Sequence, residues 1–246
     1  MIDLHSHILA GIDDGASTVD DAIALVNHSA LSGVTKVLAT PHIHFGTFDN
    51  DLASIKKAFA ELTLKFQKEQ INTAVAYAAE VRICPEIILL AKTKQLPFMG
   101  EWQGSDLLLI EFPHSHIPPG SEKLIDWLIK NNIQPMIAHP ERNRDLWKFP
   151  ELLRPFKQRG CLLQITAASL LGDFGERSEK LAWQLIEAHE ATIVASDMHN
   201  LTRRPCKMKE AFEAVATRCS QAMAERLFTD TPDLIFNSNP TIWTLK

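Results

Sequence analysis

Short runs of apolar residues alternate along the chain with longer segments in which apolar residues recur at helical spacing. Uninterrupted apolar runs are typical of strands buried on both faces of a parallel sheet, and the helical spacing is typical of the helices that cover it. Seven such runs predict strands at residues 1–4, 34–39, 73–79, 106–110, 134–138, 161–165 and 191–195. Helices are predicted at residues 17–31, 51–69, 122–131, 178–189 and 207–228, with another near 85, and the tail to Lys246 is expected to pack irregularly.

This order of elements predicts an α/β fold with one parallel sheet. Seven strands favour a closed or nearly closed barrel over an open sheet, and a length of 246 residues is common for a barrel that forms one domain. No internal repeat, low-complexity segment or linker divides the chain. Residues 1–246 are therefore predicted to form a single domain.

Polar residues that bind metals follow the predicted strands. Six of the seven strands end in His, Asp or Glu, and the sixth, which ends in Gln164-Ile165-Thr166, is the exception. In barrels of this kind the active site lies where the strands end. The residues at these positions, with an aspartate after the first strand, are His5, His7, Asp14, His42, Glu80, Glu111, His139, Asp197 and His199.

The composition of this set predicts a hydrolytic metal centre. Five imidazoles and four carboxylates are too many ligands for one ion, but they suit two or three divalent ions that share bridging carboxylates. No thiol belongs to the set, which disfavours a structural zinc site. Mixed nitrogen and oxygen ligands suit Mn, Fe or Zn in a hydrolytic site with open positions.

Arginines near the same strand ends predict an anionic substrate. Arg142 follows His139 in the stretch His-Pro-Glu-Arg, and Arg203 and Arg204 follow His199. The planar guanidinium group matches the geometry of phosphate oxygens. Together with a cluster of divalent ions, this predicts hydrolysis of a phosphate ester, with Arg142 and Arg204 as the catalytic arginines and Arg203 as the competitor of Arg204.

Charge and cysteine content narrow the class of protein further. A net charge of −5 argues against a general nucleic-acid binder or a protein of anionic membrane surfaces. No apolar run approaches the length of a membrane helix. The four cysteines are scattered without a CxxC pair, which is typical of reduced thiols. An N-terminal leader is not expected, because the predicted site begins at residue 5 and cleavage of a leader would destroy it. A cytoplasmic protein is therefore predicted.

Several motifs together resemble the PHP (polymerase and histidinol phosphatase) domain. Within it the chain is most similar to the manganese-dependent protein tyrosine phosphatases of bacterial capsule and exopolysaccharide loci, the CpsB/YwqE type. The motifs that carry the resemblance are Ile2-Asp3-Leu4-His5-Ser6-His7, Asp13-Asp14-Gly15, Ala39-Thr40-Pro41-His42, Glu111-Phe112-Pro113, Ala138-His139-Pro140-Glu141-Arg142 and Ser196-Asp197-Met198-His199-Asn200.

The resemblance implies a distorted (β/α)7 TIM-like barrel of the PHP type with a trinuclear site. It also implies a substrate, phosphotyrosine on the tail of a bacterial tyrosine kinase, and attack on phosphorus by a metal-bridging hydroxide. The implied ligand sets are His5, His7, Glu80 and Asp197 for one ion; Glu80, Glu111 and His139 for the second; and Asp14, His42 and His199 for the third.

One ligand position stays open at this point. Either Asp13 or Asp14 could be the carboxylate after the first strand, and alignment on Gly15 favours Asp14. Three further histidines, His44, His114 and His116, follow strand ends and are expected at the rim of the site rather than among the ligands.

Two other functions fit parts of the pattern. Another PHP phosphoesterase, such as a histidinol-phosphate phosphatase, would share the metal site and differ in its pocket. A non-catalytic interaction module, like the PHP domains attached to some DNA polymerases, would be expected to lose several ligands, whereas this chain keeps all nine. The tyrosine phosphatase is therefore the favoured interpretation.

Overall fold

The computed structural model describes residues 1–245, which form strands and helices in alternation. The strands are β1 Ile2–Ser6, β2 Lys36–Ala39, β3 His42–Ile43, β4 Ala74–Tyr77, β5 Glu80–Arg82, β6 Gly100–Trp102, β7 Ser105–Glu111, β8 Ile133–Ala138, β9 Leu162–Thr166 and β10 Ile193–Ala195. The α-helices are α1 Val19–Leu31, α2 Leu52–Glu69, α3 Ile87–Lys92, α4 Ser121–Lys130, α5 Arg144–Lys148, α6 Arg154–Gln158, α7 Ala167–Leu170, α8 Glu176–Glu187, α9 Met208–Arg218, α10 Gln221–Glu225 and α11 Thr231–Asn237. Tighter 3₁₀ turns cover Pro140–Arg142 and Pro150–Leu153, and a π-helical turn covers Arg226–Asp230.

The strands pair in the order of a barrel. β1 pairs with β2 and β2 with β4, while β3 pairs with β5, β5 with β7, and β7, β8, β9 and β10 follow in turn, all parallel. β2 and β3 are two parts of one strand, and so are β4 and β5, because only two residues separate the parts in each case. Backbone hydrogen bonds from the Ala78 amide to the Ala39 carbonyl and from the Glu80 amide to the Pro41 carbonyl span the interruption. β6, which the sequence pattern did not predict, is an antiparallel neighbour of β7.

Hydrogen bonds close the ring between its first and last strands. The amide of Asp197 donates to the carbonyl of His5 at 2.8 Å, and the amide of His7 donates to the carbonyl of Met198 at 2.9 Å. The residues after β10 therefore pair in parallel with the end of β1. The pairing order returns to β1 through seven parallel strands, which confirms the predicted barrel class.

The interruption of the second strand has a local cause. Pro41 lacks an N–H group and cannot donate to the ladder, so the strand stops after Ala39 and resumes at His42. The neighbouring strand follows the same detour, because the amide of Glu80 donates to the Pro41 carbonyl at 3.1 Å. His42 and Glu80, predicted to end their strands, instead begin the short segments β3 and β5.

Alternate residues of each strand face two different apolar layers. Leu107 and Leu109 of β7 lie in the cluster inside the barrel, whereas Leu108 and Ile110 lie in the cluster between strands and helices. This alternation is the period of two that a strand imposes on its side chains. Phe236 of α11 belongs to the inner cluster, so the C-terminal helix packs against the barrel interior.

The C-terminal region differs from the two predictions made for it. The helix predicted at 207–228 is broken after Arg218, because the Ser220 hydroxyl accepts a hydrogen bond from the Met223 amide at 3.1 Å and starts α10. The tail is not irregular: α11 is helical, and Trp243 pairs with Val75 of β4. Lys246 lies outside the described residues. Within residues 1–245, no helix combines the length and apolar character needed to cross a bilayer.

Candidate metal centre

The nine predicted ligands converge at one end of the barrel. Their nitrogen and oxygen atoms form overlapping groups, and within each group the atoms lie within 4.8 Å of one another. The groups are His7, Asp14, His42 and His199; His5, His7 and Glu80; His5, His139 and Asp197; Glu111, His114 and His139; and His42, Glu80 and Glu111.

At the centre of this cluster two carboxylate oxygens each lie close to the same pair of ring nitrogens. The Nε2 atoms of His5 and His7 are 3.2 Å apart. Glu80 Oε2 lies 3.3 Å from the first and 3.4 Å from the second, and Asp197 Oδ1 lies 3.5 Å and 3.3 Å from them. Ligand bonds of roughly 2.0–2.1 Å around a tetrahedral ion place neighbouring ligand atoms about 3.3–3.4 Å apart. Each oxygen therefore forms, with the two ring nitrogens, a triangle whose spacing fits ligands of one ion.

Two carboxylate oxygens in this group lack ordinary partners. Glu80 Oε2 and Asp197 Oδ1 are buried, and neither forms a geometrically acceptable hydrogen bond with any of residues 1–245. A buried carboxylate oxygen without a hydrogen-bond partner is unfavourable, because it has lost its hydrogen bonds to water. Positive charge from a metal ion would satisfy both atoms, so the donor set fits the predicted cofactor.

Three histidines are held with one ring nitrogen turned away from the cluster. Nδ1 of His5 lies 3.0 Å from Gln164 Oε1, Nδ1 of His7 lies 2.7 Å from Asp13 Oδ2, and Nδ1 of His199 lies 2.9 Å from the Asp197 carbonyl. These oxygens are placed to accept an N–H from Nδ1, so that Nε2 is the ring nitrogen that faces the cluster.

Gln164 is a site residue that the strand-end pattern missed. It lies on β9, the strand without an acid or histidine at its end, and it also accepts a hydrogen bond from the His139 amide at 3.2 Å. The polar glutamine within the otherwise apolar run of β9 was the available signal. The sixth strand thus supports two of the predicted ligands without supplying one.

The two aspartates after β1 have different environments. Asp13 faces Nδ1 of His7 and accepts a hydrogen bond from the Gly15 amide at 3.0 Å. Asp14 Oδ1 instead lies 3.4 Å from His42 Nε2 and 3.3 Å from His199 Nε2. The geometry therefore favours Asp14 over Asp13 as the residue that faces the ligand cluster.

Gly15 allows this turn to approach the site. A Cβ atom built at position 15 would lie 2.0 Å from the carbonyl oxygen of His7, which is backbone and cannot move away cheaply. Only glycine fits such a close approach. The adjacent aspartates can therefore fold back over His7.

The electrostatics of the cluster keep several groups in forms that bind metal. Burial opposes the charge of Glu80, but the imidazoles of His5 and His42 and the hydrogen bond with His139 outweigh it and hold the pKa of this carboxyl well below its usual range. Burial and the neighbouring Arg142 lower the pKa of His139 to about 3, so its ring is neutral. A neutral imidazole and an ionised carboxylate are the states that coordinate a cation.

The pKa of Glu111 is raised, whereas the pKa values of Glu80 and Asp197 are lowered. Burial and the charge of Glu80 raise its pKa to about 7, while the opposing charge of Arg82 lowers it. Nη2 of Arg82 lies 2.9 Å from Glu111 Oε2. Arg82 is a third arginine at the site, and the sequence pattern did not single it out.

The two predicted arginines converge on one carboxylate. Arg142 Nη1 and Arg204 Nη2 both donate to Asp197 Oδ2, and Arg204 Nη1 lies 2.8 Å from Nε2 of His199. Arg203 is exposed, so of the two neighbouring arginines it is Arg204 that faces the cluster. The site thus joins a buried group of metal-binding side chains to a pair of guanidinium groups.

The three histidines expected at the rim differ in their positions. The His114 ring is stacked on that of His139 with 5.7 Å between centroids, and His114 shares a donor group with Glu111. His116 is exposed and bonds to the hydroxyl of Ser115. His44 is half-buried and pairs with Phe48 in a short loop after β3.

Comparison with known proteins identifies a family for this chain. The family model described as "Capsular polysaccharide synthesis, CpsB/CapC" matches residues 1–237. The putative tyrosine-protein phosphatase CapC of Staphylococcus aureus is 37% identical over 86% of this chain and 82% of its own. The tyrosine-protein phosphatase YwqE of Bacillus subtilis is 34% identical over 99% of this chain and 94% of its own.

A solved structure extends the likeness to three dimensions. It belongs to a pair, YwqE from Bacillus subtilis and CpsB from Streptococcus pneumoniae, described as unique metal-dependent tyrosine phosphatases. The match has a TM-score of 0.89 and 33% sequence identity, and it covers 98% of this chain and 96% of the other. Sequence, family model and fold agree, and the chain belongs to the CpsB/CapC family of capsular polysaccharide synthesis proteins.

Proposed function

We propose that this protein is a metal-dependent protein-tyrosine phosphatase. The observation that carries the proposal is the meeting of two kinds of group at Asp197, whose Oδ1 faces the histidine cluster and whose Oδ2 accepts hydrogen bonds from Arg142 and Arg204. A phosphoryl group at this edge of the cluster would find both cation sites and guanidinium groups. The named relatives are tyrosine phosphatases, which supports this substrate class.

The proposed cofactor is two or three divalent ions, with Mn²⁺ as first choice and Fe or Zn as alternatives. The spacing of the oxygens of Glu80 and Asp197 from the ring nitrogens of His5 and His7, and the lack of a hydrogen-bond partner for these two oxygens, support this proposal. Bound ions would lower the pKa of water towards neutrality and polarise the phosphoryl group. The proposed ligands are His5, His7, Asp14, His42, Glu80, Glu111, His139, Asp197 and His199.

The protein's own residues account for substrate binding and charge stabilisation. Arg142 and Arg204 are placed to donate hydrogen bonds to phosphoryl oxygens, which carry more negative charge as the ester bond breaks. The leaving group, a tyrosine phenolate with a pKa of roughly 10, needs less protonation than an alkoxide. A dedicated general acid is therefore not required by this mechanism.

The proposed partner is the phosphotyrosine tail of a bacterial tyrosine kinase of capsule or exopolysaccharide synthesis. The family description supports the link to capsule synthesis. We place the reaction in the cytoplasm, where a soluble phosphatase would meet such a tail. The four cysteines form no disulfide with one another, which is compatible with that compartment.

The function is tested with purified protein loaded with Mn²⁺, assayed in parallel against a phosphotyrosine peptide and histidinol phosphate. Phosphate release from the peptide, abolished by a chelator and restored by Mn²⁺, is the expected result. Preference for histidinol phosphate would be compatible with the proposed metal site but would contradict phosphotyrosine as the substrate. Release from neither substrate, together with no bound metal, would contradict the proposed function.

A separate prediction concerns the support of His5 by Gln164. Gln164→Leu removes the oxygen that accepts the His5 Nδ1–H and puts an apolar side chain of similar size in its place. Loss of such a supporting hydrogen bond typically lowers metal affinity about 10–100-fold, so we expect a decrease of that size. Titration of Mn²⁺ into metal-free protein measures it. Gln134→Leu, on the neighbouring strand β8 but bonded to the Gly160 carbonyl, is the control and should bind metal normally.

A further inference from the structure

Phe174 lies in a short loop that follows the sixth strand of the barrel. The loop is held close to the preceding helix, since the Asp173 amide donates to the Ala168 carbonyl at 3.1 Å. It is closed by a second hydrogen bond, at 2.9 Å, from the Gly175 amide to the Gly172 carbonyl. The position of Phe174 is therefore set by backbone hydrogen bonds.

The Phe174 ring faces the two arginines of the site. Cζ of Arg142 is 4.4 Å from the ring centroid, and Cζ of Arg204 is 6.0 Å from it. Arginine stacks readily on aromatic rings, and such contacts are attractive. One ring therefore contacts both guanidinium groups that we propose to bind the phosphoryl group of the substrate.

Core packing does not explain this phenylalanine. Phe174 is only half-buried, and it belongs to neither of the two apolar clusters formed by residues 1–245. Its neighbours are charged groups of the site, and part of its surface remains open to solvent. An open aromatic surface beside an anion-binding pair is suited to contact with a ligand.

We propose that Phe174 is a specificity-determining residue that contacts the aromatic ring of the substrate while Arg142 and Arg204 bind its phosphoryl group. This inference rests on the proposed function and deepens it. In an aryl phosphate the ring begins one ester oxygen beyond phosphorus, so it lies next to whatever borders the phosphoryl-binding arginines. An alkyl phosphate presents no comparable surface at that position.

The test measures binding without turnover. Benzylphosphonate, in which a CH₂ group replaces the ester oxygen of an aryl phosphate, is compared with methylphosphonate by calorimetry on Mn²⁺-loaded protein. The variants are Phe174→Leu, which removes the aromatic face, and Phe174→Tyr, which keeps it. Phe149→Leu changes a phenylalanine that is 52% exposed and serves as the matched control.

We expect the preference for benzylphosphonate over methylphosphonate to fall about three- to tenfold in Phe174→Leu, the range of an aromatic pair contact. The preference should persist in Phe174→Tyr and Phe149→Leu. An unchanged preference in Phe174→Leu would overturn the proposal. Equal weakening of both ligands would also overturn it, because Phe174 would then only hold the arginines.

A different result would contradict the proposed function and not the role of Phe174. If the wild-type protein releases no phosphate from a phosphotyrosine peptide, the substrate assignment is wrong even where the phosphonate preference depends on Phe174. If the peptide is hydrolysed but the preference is independent of Phe174, the function stands and the role of Phe174 is wrong. Bound metal and the far-UV circular dichroism of each variant show that its fold is retained.

Discussion

Asp197→Asn is expected to abolish phosphotyrosine hydrolysis, with a loss of at least about 10³-fold, or about 4 kcal/mol in activation free energy. Asp197 Oδ1 lies 3.3 Å and 3.5 Å from the Nε2 atoms of His7 and His5, and Oδ2 accepts hydrogen bonds from Arg142 and Arg204. An amide has the same shape but no charge. It would weaken the proposed ion site and misplace both arginines.

Asparagine is a better choice here than alanine because of the backbone. Asp197 has φ of 53°, in the left-handed region that most residues avoid. Asparagine and aspartate tolerate this region better than alanine does. Asp197→Asn therefore removes the charge without adding strain to the loop after β10. A loss of activity in this variant can then be attributed to the lost charge and not to a distorted backbone.

Activity, bound metal and thermal unfolding are measured together. We expect activity and metal content to fall while the metal-free proteins unfold at similar temperatures. Asp20→Asn is the control, because its side chain is 82% exposed and, within residues 1–245, forms an ion pair only with Lys65. Near-normal activity and full metal content in Asp197→Asn would show that the proposed ligand set is wrong.

The convergence of the candidate ligands was predictable from sequence because parallel strands end at the same edge of a barrel. His139 directly follows β8 and Glu111 ends β7, and their side chains meet although 28 residues separate them in the chain. No knowledge of helix packing was needed for that step. The distribution of acids and histidines along the strands was sufficient.

The partners of each side chain were not predictable in the same way. Asp13 and Asp14 are neighbours of the same type, and which one faces the cluster depends on how closely the turn packs on His7. Arg203 and Arg204 pose the same problem after β10, where one points to solvent and the other to Asp197. Such choices depend on side-chain direction, which adjacent positions in a loop do not reveal.

The fold departs from the sequence prediction where a local hydrogen bond outweighs a regular pattern. Apolar spacing continues past Arg218, but the hydroxyl of Ser220 begins a new helix there. The break before β5 depends on a proline in the neighbouring strand, 39 residues earlier than Glu80. Periodicity detects neither a capping hydroxyl nor a long-range effect of this kind.

Removing either arginine is expected to lower turnover far more than metal content. Arg142→Ala and Arg204→Ala each delete a guanidinium group that donates to Asp197 and faces the proposed phosphoryl position. Loss of one such donor to a developing negative charge typically costs about 10²–10³-fold in kcat. Neither arginine is a metal ligand, so bound Mn²⁺ should remain near the wild-type amount.

Arg203→Ala supplies the matched comparison, because it removes the same charge one residue away from Arg204 but from an exposed position. We expect its kcat to stay within about twofold of the wild type, since surface substitutions away from special features have small effects. The readouts are kcat, KM and bound metal for all three variants. Equal loss of metal and activity in Arg142→Ala would make this arginine a structural support of Asp197. A similar loss in Arg203→Ala and Arg204→Ala would show that overall positive charge, rather than the contact with Asp197, attracts the substrate.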